Sequence, residues 1–443
     1  MIEQELNIKA YSFVDKIEGL EKLQNPKYKK PPIRKGSIGN LMIDDWSDKL
    51  SDEFPSFRSS YIPEYLERDI CVLISKVWYG FKDKSVYIDY YKFITEILAL
   101  KQFENIVSDD YLKQKGFLWI VNIHINNKAE KNLLEYIYDE LAKDVKETTY
   151  YFPLINMYID EKFSIGNSTV TYFNQEYFDN LWRKFTDENT SQTKEDFDKV
   201  YRKYQGRVFL SLKIRAESEK GGGLAYQRAS FFADILKLLS PTIGFPNEEC
   251  AVDIDKRMPY ESEFLSSDDT NEYGFSITLS AKQKPLHPPK EMIKAFQPLL
   301  DTFGNLIDKK NKNELDELCM RMIQYFSKAI SDNDLHVRVT NLITIIESIF
   351  LLDKETYGMA KMVKKRMGYF LYKNNVNQKF EFIESLTSMY QIRNKMIHKS
   401  NRKYIELNKL KDLQVNILET LHQVVLKSDI FKSKKELIKD LDA

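Results

Sequence analysis

The chain has 443 residues, 43% of them hydrophobic and 30% charged, which suits two or three folded domains and excludes a largely disordered protein. Its 66 basic and 66 acidic residues cancel to zero net charge. No run of about 18 apolar residues and no signal-peptide layout occurs, so we expect a cytoplasmic protein that does not span a membrane. The isolated cysteines Cys71, Cys250 and Cys319 argue against a disulfide framework or a structural zinc site and favour buried thiols.

The N-terminal segment is rich in loop-forming residues. Residues 22–40 combine three prolines with basic residues and glycine, as loops and mobile arms do. We therefore assign residues 1–60 to an N-terminal arm with a basic, proline-containing loop. Folded structure is expected to begin near Ile62.

Residues 61–290 mix helical and strand patterns and are predicted to form a mixed α/β regulatory or sensor domain. Residues 117–125 alternate apolar and polar side chains after Trp119, which predicts a half-buried strand with His124 on its polar face. The other predicted elements are helices over 65–79, 91–100, 128–146 and 224–239, and strands over 148–173 (a hairpin broken at 165–167), 207–216 and 274–281.

A glycine-rich stretch, residues 217–223, separates a predicted strand from a predicted helix. Backbone N–H groups in such a turn can cradle phosphate. No Lys-Ser/Thr follows the glycines and the dinucleotide-binding spacing is absent, so a flexible connection is the favoured interpretation.

From residue 291 to the C-terminus, apolar residues recur at helical spacing and strand patterns stop. The predicted helices span residues 291–308, 314–331, 335–352, 357–372, 380–398 and 407–426. The fold class is therefore multidomain α+β, in which an N-terminal mixed α/β domain precedes an all-α domain over 291–443.

Basic residues concentrate in one window of this all-α domain. Residues 361–411 contain 13 Lys and Arg against 3 Asp and Glu, a net charge of +10 that the rest of the chain balances. Such a field attracts a phosphate backbone. Aromatic residues interleaved with this window, among them Tyr369, Tyr390 and Tyr404, can stack on unpaired bases.

The helix predicted over 335–352 is apolar on nearly all sides, which places it in the middle of its bundle. Its Glu347 therefore requires a cationic partner, such as Arg393 or Arg338, unless it faces a groove lined with solvent. Two further histidines of the domain, His336 and His422, are interpreted as packing residues. His336, beside Arg338 at a helix start, can also serve as a secondary RNA contact.

Arg393, Asn394 and His398 form the most informative constellation of the chain. Asn394 and His398 lie four residues apart on one helix face, and Arg393 can reach the same group from the side. A histidine can exchange protons with ribose oxygens at neutral pH, and an arginine can stabilise a pentacoordinate phosphate. The alternative is an ordinary cationic helix end, favoured by the helix dipole alone.

The sequence from residue 314 to 426 resembles the Apea-like branch of the HEPN (higher eukaryotes and prokaryotes nucleotide-binding) superfamily. It includes the stretch Arg393-Asn-Lys-Met-Ile-His398. The matching feature is its R-x4-6-H motif at the end of a helix. The resemblance implies a HEPN-like helical bundle that dimerises around a shared cleft, with Arg393, Asn394 and His398 as the catalytic residues. Lys399 stands where a glycine often follows the motif histidine.

The resemblance also implies a function. HEPN enzymes cleave RNA without a metal and leave 2′,3′-cyclic phosphate ends, often as toxins or as effectors of antiviral defence and abortive infection. We expect single-stranded RNA or a tRNA loop as substrate, a homodimer, and an N-terminal domain that senses a phage or cellular trigger. No metal or other cofactor is expected.

The expected site has two further groups of residues. Glu347, Arg338 and Tyr390 are expected to support the catalytic residues from behind. The candidate contacts to RNA phosphates are Lys364, Lys365, Arg366, Lys395, Lys399, Arg402 and Lys403.

Two other interpretations predict different behaviour. A non-catalytic HEPN-like module would bind RNA or a nucleotide without cutting it, and its binding would weaken with salt. A purely structural helical interaction domain would do neither.

Overall fold

The computed structural model of the protein describes residues 2–19, 71–74, 77–173, 202, 204–249, 252–254, 262–267, 273–278, 285–399 and 404–443. These residues form a mixed α/β protein with a helical C-terminal region. Two compact units are present, unit 1 with residues 1–148 and 215–223 and unit 2 with residues 149–214 and 224–443. The predicted boundary at residue 290 lies inside unit 2.

The helices and strands of the described residues are numbered in chain order. The helices are α1 (Ile2–Tyr11), α2 (Lys84–Leu98), α3 (Asp109–Asn126), α4 (Leu133–Asp144), α5 (Ser218–Lys237), α6 (Lys290–Asp308), α7 (Glu314–Ile330), α8 (Leu335–Phe350), α9 (Met359–Tyr372), α10 (Val376–Lys399), α11 (Leu407–Lys427) and α12 (Lys434–Asp442). The strands are β1 (Ile17–Gly19), β2 (Cys71–Ile74), β3 (Val77–Phe81), β4 (Lys146–Ile155), β5 (Phe163–Ile165), β6 (Ser168–Tyr172), β7 (Val208–Ala216), β8 (Asp253–Ile254), β9 (Ser262–Ser267) and β10 (Tyr273–Thr278).

Unit 1 packs helices α1 to α4 with a small antiparallel sheet of order β1-β3-β2. Leu6 and Ala10 of α1 are buried in its hydrophobic core. The expectation that folded structure begins near Ile62 is therefore wrong. The proline-containing loop over 22–40 lies outside the described residues.

The strand predicted over residues 117–125 is wrong, because these residues belong to α3. The apparent alternation arises because α3 is central to unit 1 and buries Phe117 and Trp119, which lie on opposite sides of the helix. Ser108 begins the helix by accepting a hydrogen bond from the backbone N–H of Tyr111 at 3.1 Å. His124 lies in the last turn, where its Nδ1 is 3.0 Å from the carbonyl oxygen of Val14.

The helix predicted over residues 65–79 is also wrong. Its described part forms the antiparallel pair of β2 and β3, in which Cys71 lies opposite Gly80. Helical spacing over a short apolar run does not distinguish a helix from a strand. The helix predicted over 91–100 is confirmed as part of α2. The helix predicted over 128–146 is confirmed only over Leu133–Asp144, since Lys146 already begins β4.

The glycine-rich stretch is helical and not a turn, since α5 begins at Ser218 and runs through the glycines. The carboxylate of Glu217 accepts hydrogen bonds from the backbone N–H groups of Glu219 at 2.9 Å and Lys220 at 2.7 Å. These donors lower the pKa of Glu217 against the opposing effect of its burial. A carboxylate therefore occupies the N–H groups that a phosphate would need, which removes the support for a phosphate site here.

Unit 2 contains a five-stranded sheet of order β5-β6-β7-β4-β8 and a separate antiparallel hairpin of β9 and β10. The predicted break at 165–167 is confirmed, because β5 and β6 pair antiparallel across Gly166 and Asn167. The strand predicted over 207–216 is confirmed as β7. The described part of the strand predicted over 274–281 is confirmed as β10, and residues 279–281 lie outside the described residues.

The helices predicted from residue 291 onward are confirmed as α6 to α11. Helix α8 contacts α7, α9, α10, α11 and α12, as expected of a helix that is apolar on nearly all sides. The buried thiol expected at Cys319 of α7 is also observed, and burial raises the pKa of this thiol to about 12. Beyond the predicted helices, α12 adds a short final element.

Two glycines bring the β5–β6 turn directly against α6. A Cβ atom added to Gly304 would meet the backbone nitrogen of Gly166 and lie 2.7 Å from the carbonyl carbon of Ile165. Gly166 has a φ of +54°, in the left-handed region that favours glycine. The backbone of α6 and the backbone of the β5–β6 turn are therefore so close that a side chain on either glycine would collide with the other segment.

Gly304→Ala should destabilise unit 2 by about 2 kcal/mol, because the added methyl group forces backbone atoms apart. A lower urea midpoint and faster hydrogen exchange in α6 would show this effect. The matched control is Gly368→Ala in α9, where the nearest atoms are side-chain atoms 3.5 Å away. This control should be neutral or slightly stabilising, and equal effects of both variants would contradict the close backbone approach.

Candidate active site at the end of helix α10

The end of α10 lies alongside α8, which runs in the opposite direction. Nη2 of Arg393 is 3.3 Å from Oε2 of Glu347, and Oγ1 of Thr340 is 3.6 Å from Sδ of Met396. The later residue of α10, Met396, contacts the earlier residue of α8, Thr340, so the two helices are antiparallel. The N-terminal turn of α8 therefore lies beside the C-terminal end of α10. That turn contains His336, whose Nδ1 is 3.7 Å from Oδ1 of Asp334.

Of the two arginines predicted as partners of Glu347, the structure shows Arg393 in contact with it. Glu347 retains 14% and Arg393 21% of side-chain exposure, so the pair is largely withdrawn from water. A carboxylate inside an apolar helix is costly without such a cation. The prediction of an inward-facing Glu347 with an arginine partner is confirmed.

Unpaired polar atoms concentrate at this pair. In the described part of the chain, four buried side-chain polar atoms have no hydrogen-bond partner, and three of them are Oε1 of Glu347, the hydroxyl of Tyr390 and Nε of Arg393. Buried polar atoms are nearly always paired in proteins, so this cluster distinguishes the end of α10 from the rest of the described bundle. The fourth atom, Oε1 of Gln414, belongs to α11.

Tyr390 is almost completely buried and lies within electrostatic reach of Glu347. Burial is the main cause that raises the pKa of Tyr390 well above its usual value, and the Glu347 carboxylate raises it further. The positive charge of Arg393 acts in the opposite direction. The phenol is therefore neutral at physiological pH and can donate a hydrogen bond.

Arg366, in the same bundle, is an arginine whose three guanidinium nitrogens all donate hydrogen bonds. Its Nη1 and Nη2 each lie 2.7 Å from an oxygen of Glu355, Nη2 is also 2.6 Å from Asp442, and Nη1 donates to the carbonyl of Phe350 at 2.7 Å. The side chain is only 5% exposed. Arg366 therefore clamps α9 to α12, and its burial does not fit the predicted contact with RNA.

The three guanidinium nitrogens of Arg338 also all donate hydrogen bonds, but to backbone carbonyl oxygens and not to carboxylates. Its Nε and Nη2 donate to the carbonyl oxygen of Asp332 at 3.0 and 2.6 Å, and Nη1 donates to that of Pro246 at 2.6 Å. Burial lowers the pKa of this guanidinium. Arg338 holds a loop of unit 2 against α8 and does not pair with Glu347.

Arg393 differs from both because the described residues satisfy only a small part of its hydrogen-bonding capacity. It makes the one contact to Glu347 at 3.3 Å and a marginal one from Nη1 to Oδ1 of Asn394 at 3.5 Å, while Nε has no partner in the described residues. A guanidinium carries five N–H donors in a fork that fits a phosphate. The geometry thus leaves Arg393 able to take a bidentate anion.

The other predicted RNA contacts are placed as follows. Nζ of Lys364 donates to Oγ1 of Thr387 at 2.9 Å, whereas Lys365 and Lys395 are exposed. The side chains of His398 and Lys399 and the whole of Arg402 and Lys403 lie outside the described residues, although the backbone of His398 and Lys399 forms the last positions of α10.

The aromatic residues near this end differ in exposure. Tyr404, which precedes α11, is 80% exposed, whereas Phe370 is buried. The Tyr369 ring lies under two cations, with Nζ of Lys373 and Lys379 at 5.1 and 5.5 Å from its centroid. Of the aromatic residues discussed here, Tyr404 is thus the best placed to stack on a base.

The acidic partners of Arg366 were missed from the sequence. Asp442 lies 76 residues after Arg366 in the chain, and Glu355 lies in the connection between α8 and α9. Helix α12 contains three acidic residues, Glu436, Asp440 and Asp442, beside three lysines, and these carboxylates were the available signal. Charge counting over a window does not separate a clamped arginine from an exposed one.

Comparisons with known proteins add no assignment: the chain matches no protein-family model, no curated protein and no solved structure. Among the described residues, no helix is long and apolar enough to cross a membrane. The same residues contain no group of three or more His, Cys, Asp or Glu side chains arranged to hold a metal ion.

Proposed function

We propose that the protein is a metal-independent endoribonuclease of the HEPN type. The observation that carries this proposal is the under-used guanidinium of Arg393, which sits beside exposed Asn394 and five residues before His398 at the end of α10. Among the described residues, the buried arginines Arg338 and Arg366 donate several short hydrogen bonds each, whereas Nε of Arg393 has no partner and its one contact to Glu347 is long. The resemblance of residues 393–398 to the R-x4-6-H motif supports the same conclusion.

The proposed reaction is an internal transfer of the phosphoryl group. The ribose 2′-oxygen attacks phosphorus and loses its proton to a base, the bond from phosphorus to the 5′-oxygen breaks, and that oxygen receives a proton. His398 supplies proton transfer, and Arg393 stabilises the charge on the non-bridging oxygens. The products are a 2′,3′-cyclic phosphate and a free 5′-hydroxyl.

The surface near this site suits a flexible RNA. Exposed Lys365 and Lys395 can contact phosphates, and exposed Tyr404 can stack on an unpaired base. We propose single-stranded RNA or a tRNA loop as the substrate class. We further propose a homodimer through the helical bundle and a role in antiviral defence that the N-terminal part of the chain regulates in response to a phage or cellular trigger.

The test is incubation of the full chain with mixed cellular RNA in EDTA, followed by analysis of fragment ends. Cleavage with cyclic phosphate ends would support the proposal. Salt-dependent binding without cleavage would favour the non-catalytic RNA-binding module, and the absence of both would contradict each of these functions.

Arg393→Lys should slow cleavage by about 100-fold, because a lysine keeps the charge but loses the bidentate fork. The rate under single-turnover conditions measures this loss. The matched control is Arg321→Lys on α7, where the arginine is exposed. Equal rates for both variants would show that Arg393 acts only as a distant charge.

A further inference from the structure

The unpaired atoms at the end of α10 can be divided into donors and acceptors. Nε of Arg393 is a donor, Oε1 of Glu347 is an acceptor, and the Tyr390 hydroxyl can be either. The set is therefore complementary. The Tyr390 hydroxyl already lies close enough to the Glu347 carboxylate to interact with it, but the two groups do not have the geometry of a full hydrogen bond.

We propose that Glu347 and Tyr390 are positioning residues for Arg393, whose guanidinium switches between two partners, the Glu347 carboxylate and a substrate phosphate. In the free protein Glu347 holds Arg393. When a substrate phosphate takes the guanidinium, the Tyr390 hydroxyl donates to the released Glu347 carboxylate. This inference deepens the proposed function, on which its relevance to RNA rests.

The first state is weakly held. Arg393 and Glu347 meet through one contact of 3.3 Å, whereas Arg366 and Glu355 in the same bundle meet through two contacts of 2.7 Å. Short, bidentate contacts are the strong form of an arginine–carboxylate pair. Glu347 therefore orients Arg393 without binding it tightly enough to exclude a phosphate.

The second state requires a replacement partner for Glu347. A carboxylate that is 14% exposed would be an uncompensated buried charge once Arg393 turns to a phosphate. The neutral hydroxyl of Tyr390, which is 4% exposed, already lies beside Glu347 and can form the full hydrogen bond once Arg393 has turned away. Tyr390 thus lowers the cost of releasing Arg393.

The two residues should have opposite effects on phosphate affinity. Glu347→Gln removes the competing charge and should tighten the binding of inorganic phosphate by about fivefold. Tyr390→Phe removes the replacement donor and should weaken the binding by about fivefold. In the Glu347→Gln background, Tyr390→Phe should have little effect, because no carboxylate remains to be satisfied.

The experiment is a titration of the full chain with inorganic phosphate, with the shift in melting temperature as the measure of binding. The variant that carries both Glu347→Gln and Arg393→Gln measures how much phosphate binds at other places on the protein, since it removes both charges of the site together. Glu384→Gln, at an exposed position of α10, controls for net charge and should leave affinity unchanged. Glu347→Asp, which retracts the carboxylate by one methylene, should also tighten binding and replaces Glu347→Gln if that variant does not fold.

The same variants are then tested on cleavable RNA. The affinity changes should appear in KM with little change in kcat, a split that a purely structural defect would not produce. Changes of equal sign, or additive effects in the double variant, would overturn the exchange. If the phosphate pattern holds but RNA is not cut, the inference stands and the ribonuclease proposal falls. If RNA is cut while phosphate affinity does not respond, the reverse is true.

Discussion

Replacing His398 with alanine should abolish RNA cleavage by the full chain while unit 2 remains folded. A positioned general acid or base contributes about 100- to 10,000-fold to such a reaction. His398 is the penultimate position of α10, and alanine is a good helix former, so we expect the helix to persist in the variant. Single-turnover cleavage and the melting temperature, measured on the same preparation, separate these two effects.

The control for this variant is another histidine of unit 2. His287 is 55% exposed in its side chain, and its Nε2 lies 2.8 Å from Oδ1 of Asp160. His287→Ala should keep the cleavage rate within about twofold, as expected for a surface substitution. Cleavage that persists in His398→Ala would remove this histidine from the reaction and leave Arg393 without its proposed partner.

Arg366→Met should destabilise unit 2 by about 3 kcal/mol without changing RNA affinity. The variant leaves the carboxylates of Glu355 and Asp442 without their cation, and loss of one partner of a buried pair is strongly destabilising. Asp442 retains 40% exposure and can regain water, which limits the effect. Urea unfolding of the full chain measures the loss, and Lys365→Met, at the exposed neighbouring position, is the control.

The pH dependence of this clamp follows from the same contacts. Hydrogen bonds from Arg366 lower the pKa of both Glu355 and Asp442 below their ordinary values. Carboxylates of this kind stabilise the fold above their unfolded pKa, and the stabilisation is lost as the pH falls through the folded pKa. The difference between wild type and Arg366→Met should therefore be full at neutral pH and shrink in acid, and a constant difference would contradict the clamp.

The sequence predicted helices α6 to α11 well because each is long and carries apolar residues at a regular spacing. It failed where periodicity is absent. Helix α3 is buried on several sides, so Phe117 and its neighbours resemble a strand. The glycines of α5 resemble a turn, but the helix has already begun at Ser218.

The candidate site was predictable only in part, for a related reason. Glu347 stood out as a charge within an apolar helix, which implied a partner such as Arg393. Arg366 lies in a cluster of basic residues and looked exposed, because its partners come from distant parts of the chain. Local composition reports the charge of a segment, whereas the burial of one side chain depends on tertiary packing.

The chain enters unit 2 at residue 149, leaves it at 215 and returns at 224. Within this unit, Arg338 donates to the carbonyl of Pro246, Gln414 donates to the carbonyl of Thr242 at 2.8 Å, and Ser327 donates to Asp234 at 2.6 Å. A protease that cut before residue 290 and removed the preceding segment would strip these buried groups of their partners and damage the bundle. We therefore expect a C-terminal fragment released by such a cut to be less stable than the full chain, which disfavours proteolytic release as a way to activate the proposed enzyme.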